Sequence, residues 1–227
     1  MSKAPTGRTI LLVLSVSITA LVVGEMVKSR YVDTPMDDNR QPQMVTEIVT
    51  PRPFEKAEMA VGNKLEGPYP FFDQNGQQFE LSDWFDKTLV ISYIFTECPM
   101  VCPTISASLA DFVRSGFKTL GKDFRIVSVG FDAANDKPAA MLAFGEKFTS
   151  DFSAWSFVSG SPQVAKRLSD DIGIAYEPDE QGSWRHTMGV TILAPGGVVS
   201  SQLFGMTFNL DELTEGIEKA SAKGGKG

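Results

Sequence analysis

The chain has 227 residues, a formal net charge of −7 and 42% hydrophobic residues. This length suits one domain of roughly 150 to 200 residues with additional segments. The net negative charge and the lack of any run of basic residues argue against a nucleic-acid partner, because phosphate binding needs clustered lysines and arginines. Two cysteines are too few for a disulfide scaffold, so reactivity or metal binding is the better explanation for them.

The N-terminal part of the chain predicts a membrane anchor. An uncharged apolar run at 10–23 follows Lys3 and Arg8, and no small-residue cleavage site comes after it. We therefore expect residues 1–9 to be a cytoplasmic N-terminus and residues 10–27 to be a transmembrane signal anchor. A cleaved signal peptide is the alternative, and a run of this length fits that reading as well. Both place the body of the protein outside the cytoplasm.

The stretch after the anchor is typical of a tether. Residues 28–60 are polar, carry several prolines and lack apolar periodicity, which is typical of a flexible spacer. Residues 61–222 are then expected to form one folded domain. A Gly/Lys-rich tail at 223–227 ends the chain.

The first half of this domain predicts a hairpin, a buried strand and a helix. Asn75-Gly76 favours a hairpin turn within 71–79, since glycine and asparagine accept positive φ angles. The run LVISYIF at 89–95 is almost entirely apolar, which is typical of a strand buried on both faces. A helix is expected after Pro103, which suits a first helical position. Its apolar face comprises Ile105, Leu109, Phe112, Val113, Phe117 and Leu120.

The second half continues the alternation. A strand is predicted at 124–131 and a helix at 138–148, with Asp136 as its cap. Further on we expect a helix marked by Val164, Leu168 and Ile172, a hairpin formed by 188–193 and 198–204, and a last helix marked by Leu210, Leu213 and Ile217. Together these elements predict an α/β fold with a thioredoxin-like central sheet flanked by helices.

The cysteines fall where such a fold places its chemistry. Cys98 and Cys102 lie just after the apolar strand and at the start of the next helix, where free N–H groups lower the pKa of a thiol. His186 is the single histidine, and a loop entering a sheet edge could bring it to the same point. Two thiols and an imidazole are a three-ligand set for a metal such as Cu(I). A local disulfide and an ordinary surface or half-buried histidine are the simpler alternatives.

Several motifs together resemble the Sco/SenC family. They are T-x-C-P-x-x-C-P at 96–103, H-T at 186–187, A-P-G-G at 194–197, F-D-x-x-x-D at 131–136 and G-P at 67–68. The resemblance covers roughly residues 62–220. The chain departs from the usual pattern at Met100, at Asn135 and at the residue after Asp132, where the family often has a proline.

The resemblance implies a membrane-tethered copper metallochaperone that assists assembly of the dinuclear copper centre of cytochrome c oxidase. Its metal ligands would be Cys98, Cys102 and His186, holding copper as Cu(I) or Cu(II), with Cys98 and Cys102 also a redox-active pair. The implied partners are the copper-accepting oxidase subunit, a copper donor or thiol reductant, and the inner membrane through residues 10–27. The soluble domain would lie in the periplasm.

Two other functions remain open. An extracytoplasmic thiol-disulfide reductase could act on cysteines of the oxidase subunit or on another target. The spacing between the thiols is one residue longer than C-x-x-C, and no proline lies between Pro178 and Pro195, which favours copper binding as the main activity. A peroxidase would need one activated cysteine with an arginine and a Thr or Ser beside it, and the sequence contains no group of residues that stands out as such a set.

Some other side chains are expected to be structural. Met100, Met188 and Met206 are interpreted as core or gap-filling residues, because a thioether packs well in irregular spaces. Asp132 and Asp136 are interpreted as caps and turn formers.

Overall fold

A computed structural model describes residues 60–115, 121–180 and 182–224. The predicted cytoplasmic N-terminus, the anchor at 10–27 and almost all of the tether at 28–60 lie outside these residues. No helix in the described ranges is both long enough and apolar enough to span a membrane.

Nine strands and four α-helices make up the described part of the domain. The strands are β1 Pro70–Phe72, β2 Gln78–Glu80, β3 Thr88–Ile94, β4 Phe124–Gly130, β5 Trp155–Ser159, β6 Tyr176–Pro178, β7 Trp184–His186, β8 Gly189–Ala194 and β9 Val198–Phe204. The helices are α1 Val101–Arg114, α2 Pro138–Gly145, α3 Pro162–Asp171 and α4 Leu210–Gly224, and a short 3-10 turn covers Leu81–Trp84.

Seven of the strands form one sheet in the order β2-β1-β5-β4-β3-β8-β9. Strands β3, β4 and β5 are parallel, whereas β8 runs antiparallel to β3 and β9 antiparallel to β8. Every residue of β3 is buried, as its continuous apolar run predicts. Helix α4 packs against β8, β9 and β3, and α2 packs against β5. This is the predicted α/β arrangement, a thioredoxin-like central sheet flanked by helices.

Four local predictions are wrong. Helix α1 begins at Val101, so Pro103 is its third residue; this is tolerated because the first four N–H groups of a helix have no partner within it. Helix α2 ends at Gly145 rather than at 148, and its N-cap is Lys137, not Asp136. In the 71–79 hairpin, Gly76 has a positive φ of 79°. Among the described residues only glycines have a positive φ, so Asn75 does not adopt the positive φ that we predicted for it.

Strands β5, β6 and β7 were not predicted from the sequence. β5 is a buried central strand, and its aromatic and β-branched residues in WSFVS could have revealed it. β6 and β7 are three residues each and pair antiparallel as a separate two-stranded ribbon. The ribbon matters for function because His186 is its last residue, in a strand rather than in the loop that we expected.

Candidate metal and thiol site

The two cysteines lie at the start of α1, at the end of the buried strand β3. Cys98 belongs to the turn between these elements, and its N–H donates to the carbonyl of Phe95 at 3.0 Å. Cys102 is the second residue of α1. Cys98 is 8% exposed, Cys102 is fully buried, and both are free thiols. The turn therefore presents an unbridged pair just beneath the surface.

The two thiols differ sharply in acidity. The Sγ atom of Cys98 accepts a hydrogen bond from the backbone N–H of Cys102 at 3.3 Å. A hydrogen bond from the Cys102 thiol, aided by the nearby backbone N–H groups, lowers the pKa of Cys98 to about 6 despite its burial. The same hydrogen bond and then burial raise the pKa of Cys102. At neutral pH the pair thus holds one thiolate, on Cys98, and one thiol proton.

His186 faces this pair from the ribbon. Its Nδ1 atom lies 2.9 Å from the carbonyl oxygen of Thr187, which can only accept, so Nδ1 carries the proton and Nε2 keeps its lone pair. Nε2 lies 3.6 Å from the Sγ atom of Cys102. Burial lowers the pKa of His186. The imidazole is therefore neutral and directs an unprotonated nitrogen at a thiol. A histidine that binds a metal must be neutral in the same way.

The structure brings the three predicted residues, Cys98, Cys102 and His186, together as two contacting pairs. Cys102 contacts both other members, Cys98 through the thiol pair and His186 through Nε2. Among the described residues, however, no three His, Cys, Asp or Glu side chains are already arranged as a closed metal site. A bound ion would have to draw the sulfurs and the imidazole closer and displace the proton of Cys102.

A buried carboxylate supports the cysteine turn. Asp136 is 1% exposed, and its Oδ1 atom accepts hydrogen bonds from the N–H of Thr96 at 2.7 Å and from its hydroxyl at 2.8 Å. Its Oδ2 atom accepts from the N–H of Asp132 at 2.8 Å. Burial raises the pKa of Asp136 in spite of these bonds. Asp136 is therefore not a helix cap, and it ties the turn after β4 to the turn that carries Cys98.

The neighbouring Asp132 is a turn former, as predicted. Its Oδ1 atom accepts from the N–H of Ala134 at 3.2 Å. Asn135 donates through Nδ2 to Asp132 at 2.9 Å and to Glu97 at 3.3 Å. The Asn135 side chain thus links this turn to the residue that precedes Cys98.

Aromatic rings surround the imidazole. The ring of Phe131 lies 5.3 Å from that of His186, and Phe95 lies edge-on to it at 6.1 Å. Phe131 also stacks on Tyr176 at 4.6 Å and meets Trp184 edge-on at 5.6 Å. These contacts anchor the ribbon to the main sheet and desolvate His186, which explains the lowered pKa of its imidazole.

The methionines do not all behave as core residues. Met188 packs against the core, as expected, and Met206 is partly buried. Met100, between the two cysteines, is instead 62% exposed. Its interpretation as a core or gap-filling residue is wrong, because its side chain, at the N-cap position of α1, is exposed to solvent.

The fold and site define a thioredoxin-like protein with a pair of free thiols at a helix start and a histidine beside them. The chain belongs to the SCO1/SenC family, whose family model matches residues 57–222. The SCO1 protein homolog of Bacillus subtilis is 25% identical over 158 residues, which cover 68% of this chain and 81% of the relative.

Solved structures share the fold. A SCO1/SenC family lipoprotein from Bacillus anthracis is 26% identical, with a TM-score of 0.63 over 70% of this chain and 96% of that one. ScoI of Bradyrhizobium japonicum, determined with copper bound, is 22% identical, with a TM-score of 0.56 over 73% and 98%. BsSco, described as a cytochrome c oxidase assembly protein with a disulfide switch, is 24% identical, with a TM-score of 0.60 over 70% and 95%.

Proposed function

We propose that this chain is a copper metallochaperone that binds the ion through Cys98, Cys102 and His186. The observation that carries the proposal is the 3.6 Å approach of the unprotonated Nε2 atom of His186 to the Sγ atom of Cys102, next to the Cys98 thiolate. Thiolates select soft Cu(I), and imidazole suits either oxidation state of copper. The copper-bound ScoI structure of the same fold supports this choice of metal.

The electrostatics of the site favour loading at neutral pH. Cys98 already carries a negative charge, and His186 is already neutral. Binding therefore releases a single proton, from Cys102, as its sulfur becomes a thiolate ligand. Three ligands leave one side of the ion open, and an ion held in this way can be passed to an acceptor that supplies the next sulfur.

The acceptor that we propose is the copper-accepting subunit of cytochrome c oxidase, since BsSco is described as an assembly factor of that enzyme. We infer that residues 10–27 hold the protein at the inner membrane in a single pass, with the domain in the periplasm. A family relative is a lipoprotein, so attachment to a membrane outside the cytoplasm has a precedent within the family. A copper donor would reload the site with copper, and a thiol reductant would return an oxidised cysteine pair to free thiols.

Thiol-disulfide reduction is the second candidate, and the lowered pKa of Cys98 favours it. The Cys98 thiolate would attack a disulfide of the target, forming a mixed disulfide and expelling one target thiolate. Cys102, after losing its proton, would attack Cys98 and release the second target thiolate. The products are a reduced target and a Cys98–Cys102 disulfide, which an external thiol reductant must reduce by two electrons.

Anaerobic addition of Cu(I) to the reduced full-length protein tests the copper proposal. We expect one copper ion per chain by elemental analysis, and loss of tight binding in Cys98→Ser and in Cys102→Ser. Ser106→Ala is a matched control, because Ser106 is buried on the same helix one turn after Cys102. Tight, stoichiometric copper in a variant lacking both cysteines would refute the ligand assignment.

A further inference from the structure

Met100 is the most exposed of the large hydrophobic side chains in the described residues, at 62%. Single exposed apolar residues are common and by themselves mean little. What distinguishes Met100 is its position, since it lies between Cys98 and Cys102 along the chain. The other described methionines are buried, as Met141 is, or partly buried, as Met188 and Met206 are.

The backbone of Met100 is held firmly beside the thiols. Met100 is the N-cap residue of α1, two residues after Cys98 and two before Cys102. Its carbonyl accepts hydrogen bonds from the N–H of Thr104 at 3.1 Å and from the Thr104 hydroxyl at 2.8 Å. The side chain therefore extends into solvent from a fixed point in the turn that carries Cys98.

The ligands of the proposed site are poorly accessible. Cys98 is 8% exposed, His186 is 9% exposed and Cys102 is fully buried. An ion carried by another molecule must exchange its ligands one at a time, so a first ligand is needed at the surface. A thioether suits this step because it is soft, uncharged and carries no proton to displace.

We propose that the Met100 thioether is a transient Cu(I) ligand that passes the ion between an external carrier and the Cys98 sulfur. The inference rests on the proposed copper-binding function and deepens it. On loading, a Cu(I)–Sδ bond forms as one bond between copper and the carrier breaks. A Cu(I)–Sγ bond to Cys98 then forms, the remaining carrier bond breaks, and Met100 dissociates as Cys102 and His186 bind. Copper stays Cu(I) throughout, and the one proton released comes from Cys102.

This step defines the chemistry of the carrier. It must hold Cu(I) on at least one soft, uncharged ligand such as a thioether, which the Met100 sulfur can replace without a change in charge. Unloading to an acceptor is the same sequence in reverse.

The test is the rate at which copper leaves the loaded full-length protein for the Cu(I) chelator bathocuproine disulfonate, followed by absorbance. Met100→Leu keeps the apolar side chain and removes the sulfur, and Met100→Gln keeps the chain length. We expect both variants to bind one copper per chain with unchanged equilibrium affinity, and to exchange on the order of tenfold more slowly than wild type. Because the chelator is a small molecule, docking of a partner protein does not influence the result.

Met206→Leu is the matched control, because Met206 is a partly buried methionine outside the cysteine turn. Its exchange rate should equal that of wild type. Unchanged rates in the two Met100 variants, or equal slowing in Met206→Leu, would overturn the inference and leave the proposed function intact. A wild-type protein that binds no copper would instead refute the proposed function, and the transfer step with it.

Discussion

The carboxylate of Asp136 binds both the backbone N–H and the hydroxyl of Thr96, at 2.7 and 2.8 Å, two residues before the first cysteine. With the N–H of Asp132 it accepts three hydrogen bonds while 1% exposed. Since Thr96 and Asp132 follow adjacent parallel strands, this carboxylate fixes the relative position of the two turns at the site.

We therefore predict that Asp136→Ala destabilises the protein. The change leaves one buried and two partly buried donors without an acceptor, which should lower the free energy of unfolding by about 2–4 kcal/mol, as measured by urea denaturation. Asp111→Ala is the control, because Asp111 is paired on the surface with Arg114. This variant should lose less than about 1 kcal/mol of the free energy of unfolding. Equal losses in the two variants would contradict a supporting role for Asp136.

The acidity of Cys98 predicts its reactivity. Its pKa of about 6 makes it mostly thiolate at pH 7, so the rate of alkylation by iodoacetamide should rise through pH 6 and level off above it. Cys102 should stay unmodified in the folded protein, because its pKa is raised. Mass spectrometry of peptides quenched at each pH measures both rates.

Cys102→Ala should raise the pH midpoint of Cys98 alkylation. It removes the thiol that donates to Cys98, the largest cause of the lowered pKa, so the midpoint should rise toward the ordinary value of about 8.5. An unchanged midpoint would mean that the backbone N–H groups alone stabilise the thiolate.

Oxidation should block copper uptake. A Cys98–Cys102 disulfide would consume both sulfurs, and the thiols are close enough to share a hydrogen bond. We expect a mild oxidant to remove two titratable thiols per chain and to abolish copper binding, with full recovery after reduction. Oxidised protein that takes up copper at full stoichiometry would place the metal elsewhere.

His186→Ala should separate the two oxidation states of copper. Cu(I) binding should persist through the two thiolates, whereas the Cu(II) form should lose its nitrogen hyperfine splitting in electron paramagnetic resonance and become unstable. Because burial lowers the pKa of His186, wild-type Cu(II) binding should weaken only below the ordinary imidazole value of about 6.5. An unchanged Cu(II) spectrum in the variant would remove His186 from the ligand set.

The sequence predicted the main strands and helices of the fold better than the contacts around the cysteines and His186. The apolar run around β3 and the period of α1 are local signals, so the elements carrying both cysteines were found. The contacts of Asp136 with Thr96 join residues 40 positions apart, and no local pattern encodes such a pairing. The ribbon strands are three residues each, too short for periodicity, so the strand that holds His186 and the burial of its ring were not predicted. Only the resemblance to the Sco/SenC family indicated that His186 joins the two cysteines.

The ribbon that carries His186 is hydrogen-bonded to Ala175 at the end beside the imidazole. The N–H of Thr187 donates to the carbonyl of Ala175 at 2.8 Å, and the N–H of Ala175 donates to the Thr187 hydroxyl at 3.1 Å. His186 pairs with Tyr176 beside these hydrogen bonds, whereas exposed Ser183 lies at the opposite end of the ribbon. A short peptide tag inserted after Ser183 would therefore leave the imidazole in place. The far end is thus a natural attachment point for a reporter of copper loading.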